Sequence, residues 1–165
     1  MAAEHLFLDT NLLIAATDAA RAEHDDVVRA FNESWPGRGA TLYTSGQVLR
    51  EYLVVTTRPL EVNGLGLHPN SALANISEFR RRTTLLDETD KVAARLATLV
   101  EEHAIRGKRI HDANIVATML THGIRALVTL NPRDFAPYSD VIDVRDHRTM
   151  NPPPAQTASG DIPEV

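Results

Sequence analysis

The stretch His5-Leu6-Phe7-Leu8-Asp9-Thr10-Asn11-Leu12-Leu13 decides the fold. Its first half is apolar without alternation, as expected of a strand covered on both faces. The run breaks at Asp9-Thr10-Asn11 and apolar residues resume at once, so a helix starts near Asn11 and runs to Ala16. A strand turning directly into a helix opens a βα unit, and the pattern recurs. Ala40 to Thr44 reads as a strand, followed by a helix to about Thr57 with Ser45 as N-cap. Ala126-Leu127-Val128-Thr129-Leu130 is the clearest buried strand, while 83–86 and 141–144 are short candidates. Helical patterns occupy 22–34, Asn70 or Ser71 to Arg82, 87–105 and 110–122. In the longest, Val92, Leu96, Leu99 and Val100 keep a 3.6-residue period. Trp35-Pro36-Gly37-Arg38-Gly39 reads as a loop. Arg58 to Pro69, with Pro59, Gly64 and Gly66, reads as a mobile surface loop. The alternation predicts an α/β fold: three α/β/α layers around a mostly parallel central sheet of four to five strands.

A chain of 165 residues fits one domain with its own core. The absence of cysteine excludes disulfides, thiol catalysis and thiolate-bound zinc. The histidines show no metal-ligand spacing, and no phosphate-binding glycine loop occurs. No apolar run approaches the roughly 20 residues of a membrane span, so a cytoplasmic protein without membrane contact is expected. The composition changes at residue 149, where Pro152, Pro153, Pro154 and Pro163 gather without Lys or Arg. The expected division is a domain over 1–148 and a disordered Pro-rich tail over 149–165. The net charge of −5 excludes a uniformly basic nucleic-acid coat. That acidity is uneven: Asp161 and Glu164 carry part of it in the tail, and much of the rest lies in four unusual carboxylates.

Asp9 ends a buried strand, at the edge where open α/β sheets bind ligands. Glu51 lies with Val48, Tyr52 and Val55 on the apolar face of its helix. A buried carboxylate there costs several kcal/mol unless it is paired or bound to a cation. Asp112 heads a helix whose apolar face is Ile115, Val116, Met119 and Leu120. Asp134 follows the clearest strand, after an Asn131-Pro132 turn. Each has a plain account, as a cap, an ion pair or a turn. Together, at one edge of a parallel sheet, they can share a cleft. Packed acids repel, and a hard divalent cation is the natural compensation. Oxygen donors alone favour Mg²⁺ or Mn²⁺, which activate water and stabilise a leaving oxygen in phosphodiester hydrolysis.

Four segments carry a family resemblance. They are Phe7-Leu8-Asp9-Thr10-Asn11-Leu12-Leu13, Gln47-Val48-Leu49-Arg50-Glu51-Tyr52, Arg109-Ile110-His111-Asp112-Ala113-Asn114 and Val128-Thr129-Leu130-Asn131-Pro132-Arg133-Asp134-Phe135. In this order they resemble the motifs of PIN-domain ribonucleases, most closely the VapC toxins of bacterial toxin–antitoxin pairs, over roughly residues 5–145. The resemblance implies the PIN-like α/β/α fold and a metal-dependent endoribonuclease, a hydrolase of RNA phosphodiesters. Asp9, Glu51, Asp112 and Asp134 would be the catalytic, metal-binding acids, with Thr10, Asn11, Thr44 and Asn131 around them. It also implies a homodimer bound by a VapB-type antitoxin. Arg106, Lys108 and Arg109, immediately before Asp112, are candidate RNA contacts. Arg80-Arg81-Arg82 reads as a solvated helix end. Competing readings are a PIN-domain housekeeping RNA-processing nuclease and a non-catalytic PIN-like binding protein. A phosphatase using Asp9 as nucleophile would want a second Asp two residues on, where Asn11 stands.

Overall fold

The computed structural model describes residues 3–150. One sheet is formed by β1 (His5–Leu8), β2 (Thr41–Ser45), β3 (Thr84–Leu86), β4 (Ala126–Thr129) and β5 (Asp143–Asp146). The spatial order is β3-β2-β1-β4-β5, and all pairings are parallel. Around it lie α1 (Thr10–Thr17), α2 (His24–Arg29), α3 (Trp35–Gly37), α4 (Gly46–Thr57), α5 (Pro69–Arg82), α6 (Asp90–Glu102), α7 (Arg109–Thr121) and α8 (His147–Met150). Leu6, Phe7, Leu8, Leu127 and Val128 are wholly buried, because helices cover both faces of the two central strands. The chain steps from β1 outward through β2 and β3, then crosses back to lay β4 on the other side of β1. Ligand crevices in open α/β sheets form at such a reversal, beyond the C-terminal strand ends. Among the described residues no helix is long and apolar enough to cross a membrane.

The structure departs from the expected element boundaries in four places. The 35–39 loop is largely absent: α2 continues through a π-helical turn, Ala30–Ser34, into α3. Trp35 is fully buried and meets Phe31 edge-on at 5.1 Å, so burial of the indole draws the chain inward. Pro36 follows the π-helical turn at the very end of this run, and the helix stops one residue later at Gly37. Helix α6 starts at Asp90 rather than 87, leaving Glu88 outside, where its Oε1 accepts the Gln47 backbone N–H at 2.5 Å. Its C-terminal end is set by Ala104, at φ 50, which closes a left-handed turn. Finally, β5 begins at Asp143 instead of 141, because the Val141 and Ile142 N–H groups both donate to the Tyr138 carbonyl at 3.0 Å.

The Arg58–Pro69 segment is tied down. Its turn Leu60–Val62 leads to Asn63 at φ 60. Leu65, Gly66 and Leu67 then donate to the carbonyls of Val55, Arg58 and Thr56 at 3.2, 2.8 and 2.8 Å. Gly64 makes the fold-back possible, since a Cβ there would lie 1.9 Å from the Arg58 carbonyl oxygen. Neither backbone can yield without breaking these bonds. Gly64→Ala is therefore expected to destabilise the protein by roughly 1–3 kcal/mol, the usual range for overpacking. Urea unfolding of the variant beside wild type measures this, and an unchanged midpoint would remove the close-approach argument. Residues 151–165 of the expected tail lie outside the described residues.

Candidate active site

Asp9 stands where β1 becomes α1, in the crevice between β1 and β4. Its backbone N–H still pairs with the Val128 carbonyl at 3.1 Å. Its side chain caps α1: Oδ1 accepts the Thr10 N–H at 2.7 Å. Oδ2 accepts the Thr129 hydroxyl at 2.7 Å. That hydroxyl accepts in turn from Asn11 Nδ2 at 3.1 Å and from the Asn131 N–H at 3.0 Å. With both lone pairs engaged, the Thr129 proton can point only at Asp9. Asn11 also accepts from the Leu130 N–H at 3.2 Å, locking α1 to the end of β4. Even so, Asp9 is only 8% exposed, and its pKa is pushed up to about 6. Burial is the largest cause; the Thr129 and Thr10 hydrogen bonds oppose it, and the charges of Asp112 and Glu51 add to it.

Glu51 lies one turn into α4 and is held at both oxygens. Oε2 accepts the Thr10 hydroxyl at 2.9 Å, and Oε1 accepts Gln47 Nε2 at 2.7 Å. Nδ1 of the exposed His111 lies 3.8 Å from Oε1. Asp112, half-buried in the first turn of α7, is also raised to about 6. Burial leads again, followed by the charges of Asp134 and Glu51; His111 and Arg109 pull the other way. Asp134 is exposed, on the 3₁₀ turn Pro132–Tyr138 that follows β4. The structure thus brings Asp9, Glu51 and Asp112 into mutual electrostatic reach and sets Asp134 at the rim beside Asp112.

The surrounding residues divide clearly. Thr10 and Asn11 join the network through their side chains, whereas Asn131 joins through its backbone. Thr44 does not join: it is fully buried in β2, and its hydroxyl has no hydrogen-bond partner. Arg106, Lys108 and Arg109 are exposed at the start of α7, and the field of Arg109 reaches Asp112. Thr129, Gln47, Asn114 and Glu88 belong to the polar network although sequence reasoning assigned them no place in it. A fully buried hydroxyl at a strand end and an amide one turn before Glu51 were the available signals.

A groove of about 600 Å³ opens beside the acids. Asp9, Thr10, Asn11, Gln47, Glu51 and His111 form one part of its wall, and Ile14, Val54, Val55, Arg50 and Arg58 the other. Every candidate ligand atom on the four acids is a carboxylate oxygen. Among the described residues no Lys or Arg forms an ion pair with any of them. The fields of Arg109 and His111 on Asp112, and His111 beside Glu51, offset the repulsion only in part, which leaves a place for a hard dication. Among the described residues, however, no three His, Cys, Asp or Glu side chains already stand together as a finished ligand set.

The parallel α/β fold sets Asp9, Glu51 and Asp112 in electrostatic reach of one another at its topological switch point, the place where such folds bind ligands. The chain matches the PIN domain over residues 6–140 and belongs to that family. It is 32% identical to ribonuclease VapC48 of Mycobacterium tuberculosis over 143 residues, covering 84% of this chain and 94% of that protein. Similar solved structures include the DNA-bound VapBC of Salmonella typhimurium, at TM-score 0.62 and 21% identity over 87% of this chain and 98% of that one. Another is the VapC20 toxin of Mycobacterium tuberculosis, which cleaves the sarcin-ricin loop, at TM-score 0.57 and 20% identity over 74% of this chain and 86% of that one. The chain is thus homologous to a VapC ribonuclease and shares the PIN fold of VapC toxins.

Proposed function

We propose that this protein is a divalent-metal-dependent endoribonuclease, the toxin of a VapBC-type pair. The observation carrying this reading is the convergence of Asp9, Glu51 and Asp112, two of them raised to about 6 by burial and mutual charge. A cluster that pairs with no Lys or Arg among the described residues, and that Arg109 and His111 offset only in part, is suited to receive a cation. Asp9, Glu51, Asp112 and Asp134 would hold Mg²⁺ or Mn²⁺. Such an ion, when bound, acidifies water and neutralises charge on a phosphodiester in transition. The chain supplies the rest. Thr129 and Thr10 fix the carboxylates of Asp9 and Glu51 as acceptors. Asn11 cannot serve as a general acid, since a neutral amide does not give up a proton near neutral pH, and its amide is instead tied to Thr129 and Leu130, which speaks against a phosphatase. Arg109, with Arg106 and Lys108, would meet the RNA backbone and steer it to the acids.

The likeness to VapBC complexes supports a VapB-type antitoxin as partner, and a homodimeric toxin in a cytoplasmic setting completes the proposal. The test is cleavage of a tRNA and rRNA mixture with Mn²⁺, with EDTA, and with Asp112→Asn in Mn²⁺. Cleavage is expected only for wild type with metal. Undiminished cutting in EDTA, or by Asp112→Asn, would end the proposal.

A further inference from the structure

Gln47 sits one helical turn before Glu51 on α4 and is only 4% exposed. Its Nε2 donates twice, to Glu51 Oε1 at 2.7 Å and to the His111 backbone carbonyl at 2.9 Å. Its Oε1 accepts Asn114 Nδ2 at 2.7 Å. The His111 carbonyl can only accept, so the amide must turn its nitrogen that way, and its oxygen then faces Asn114. Asn114 lies on α7, two residues after Asp112, and its Nδ2 also reaches Glu88 Oε2 at 3.4 Å. Glu88 closes the chain by accepting the Gln47 backbone N–H and pairing with Arg50 at 3.3 Å. Each link has a forced donor and acceptor, and the forcing ends on a Glu51 oxygen.

We propose that Gln47, oriented by the His111 carbonyl and Asn114, is the positioning residue that aims Glu51 at the metal. The inference rests on the proposed metal-dependent site and adds to it how α4 and α7 are held in register around that site. Partners that orient a ligand in this way typically carry 10- to 100-fold in metal affinity or activity. Glu51 is flexible at three torsions; without the Gln47 donor its one remaining hydrogen bond among the described residues is from Thr10, with the exposed His111 ring 3.8 Å away.

The experiment titrates the metal-free full chain with Mn²⁺ by calorimetry, for wild type, Gln47→Leu, Asn114→Ala, Glu51→Gln and the double variant Gln47→Leu/Glu51→Gln. Cleavage kinetics and melting temperature are recorded alongside. Gln47→Leu is expected to weaken Mn²⁺ binding by about tenfold or more and to lower kcat, with KM for RNA little changed. Asn114→Ala is expected to act in the same direction and less. In the Glu51→Gln background, Gln47→Leu is expected to add almost nothing, because its effect runs through Glu51. Wild-type Mn²⁺ affinity and kcat in Gln47→Leu would overturn the positioning role, as would a lower melting temperature as its sole effect. Should Gln47→Leu fail to fold, Asn114→Ala decides by the same measures. A wild-type chain that neither binds Mn²⁺ nor cuts RNA would instead overturn the metal site itself, and this inference with it.

Discussion

Asp9→Asn is expected to suppress RNA cleavage by about a thousandfold while raising the melting temperature of the metal-free protein. The two effects have one origin. A metal ion contributes several kcal/mol of transition-state stabilisation, and about 1.4 kcal/mol corresponds to tenfold in rate. Removing the most buried acid of the set forfeits most of that. The same acid is a burden to the empty protein, because its pKa stands near 6 instead of 3.8. At about 1.4 kcal/mol per unit, keeping it ionised at neutral pH costs roughly 3 kcal/mol. Asparagine removes the charge and remains a good N-cap for α1. Against this, the Thr129 proton loses its acceptor, a loss of about 1–2 kcal/mol. The relief wins, leaving a net gain of about 1–2 kcal/mol, or roughly 2–8 °C at 2–4 °C per kcal/mol for a protein this size. Activity assays and calorimetric melting of one preparation measure both. A variant that loses activity and stability together would show that Asp9 is structural.

The second large effect is on stability against pH. Folded Asp9 keeps its proton until about pH 6, whereas unfolded Asp9 releases it near 3.8. Between these values the folded state binds more protons, so stability falls as pH rises and levels off above about 6. Asp112 slopes the same way, though solvent reaches it and weakens its share. Asp146 works oppositely: its pKa is lowered to about 2, chiefly by its hydrogen bond from Arg148, so its stabilising share disappears as pH falls from about 4 toward 2. Metal-free wild type is expected to lose roughly 2–2.5 kcal/mol between pH 4 and 7 relative to Asp9→Asn, the part of the Asp9 shift that falls in this window. Urea unfolding at stepped pH, read as the difference between the two proteins, checks it. Parallel curves would sink the account. Mn²⁺ should restore stability at pH 7.5 and do little at pH 4.5, where protons occupy the same oxygens.

Much of the fold is legible in single residues. Leu6-Phe7-Leu8 and Leu127-Val128 announce doubly covered parallel strands, because burial on both faces leaves no alternation to write. Asp9, Glu51 and Asp112 betray themselves by standing where burial makes charge expensive. Boundaries were less legible wherever a distant partner sets them. Trp35 carries helix through a proline because its indole has a pocket against Phe31. Glu88 stays outside α6 because its carboxylate caps α4, 41 residues earlier in the chain.

The βα order, the parallel sheet and the presence of acids at costly positions are written in the chain itself. These follow from hydrophobic period and from the cost of burying charge, both of which act residue by residue. The polar wiring arises only on folding: Thr129 and not Thr44 serves Asp9, Asn11 is tied to β4, and Gln47 holds Glu51. Hydrogen bonds depend on direction over a few tenths of an ångström. Thr129 and Asp9 are 120 residues apart, and no local pattern encodes their meeting. Only the closing of β4 against β1 brings donor and acceptor to 2.7 Å.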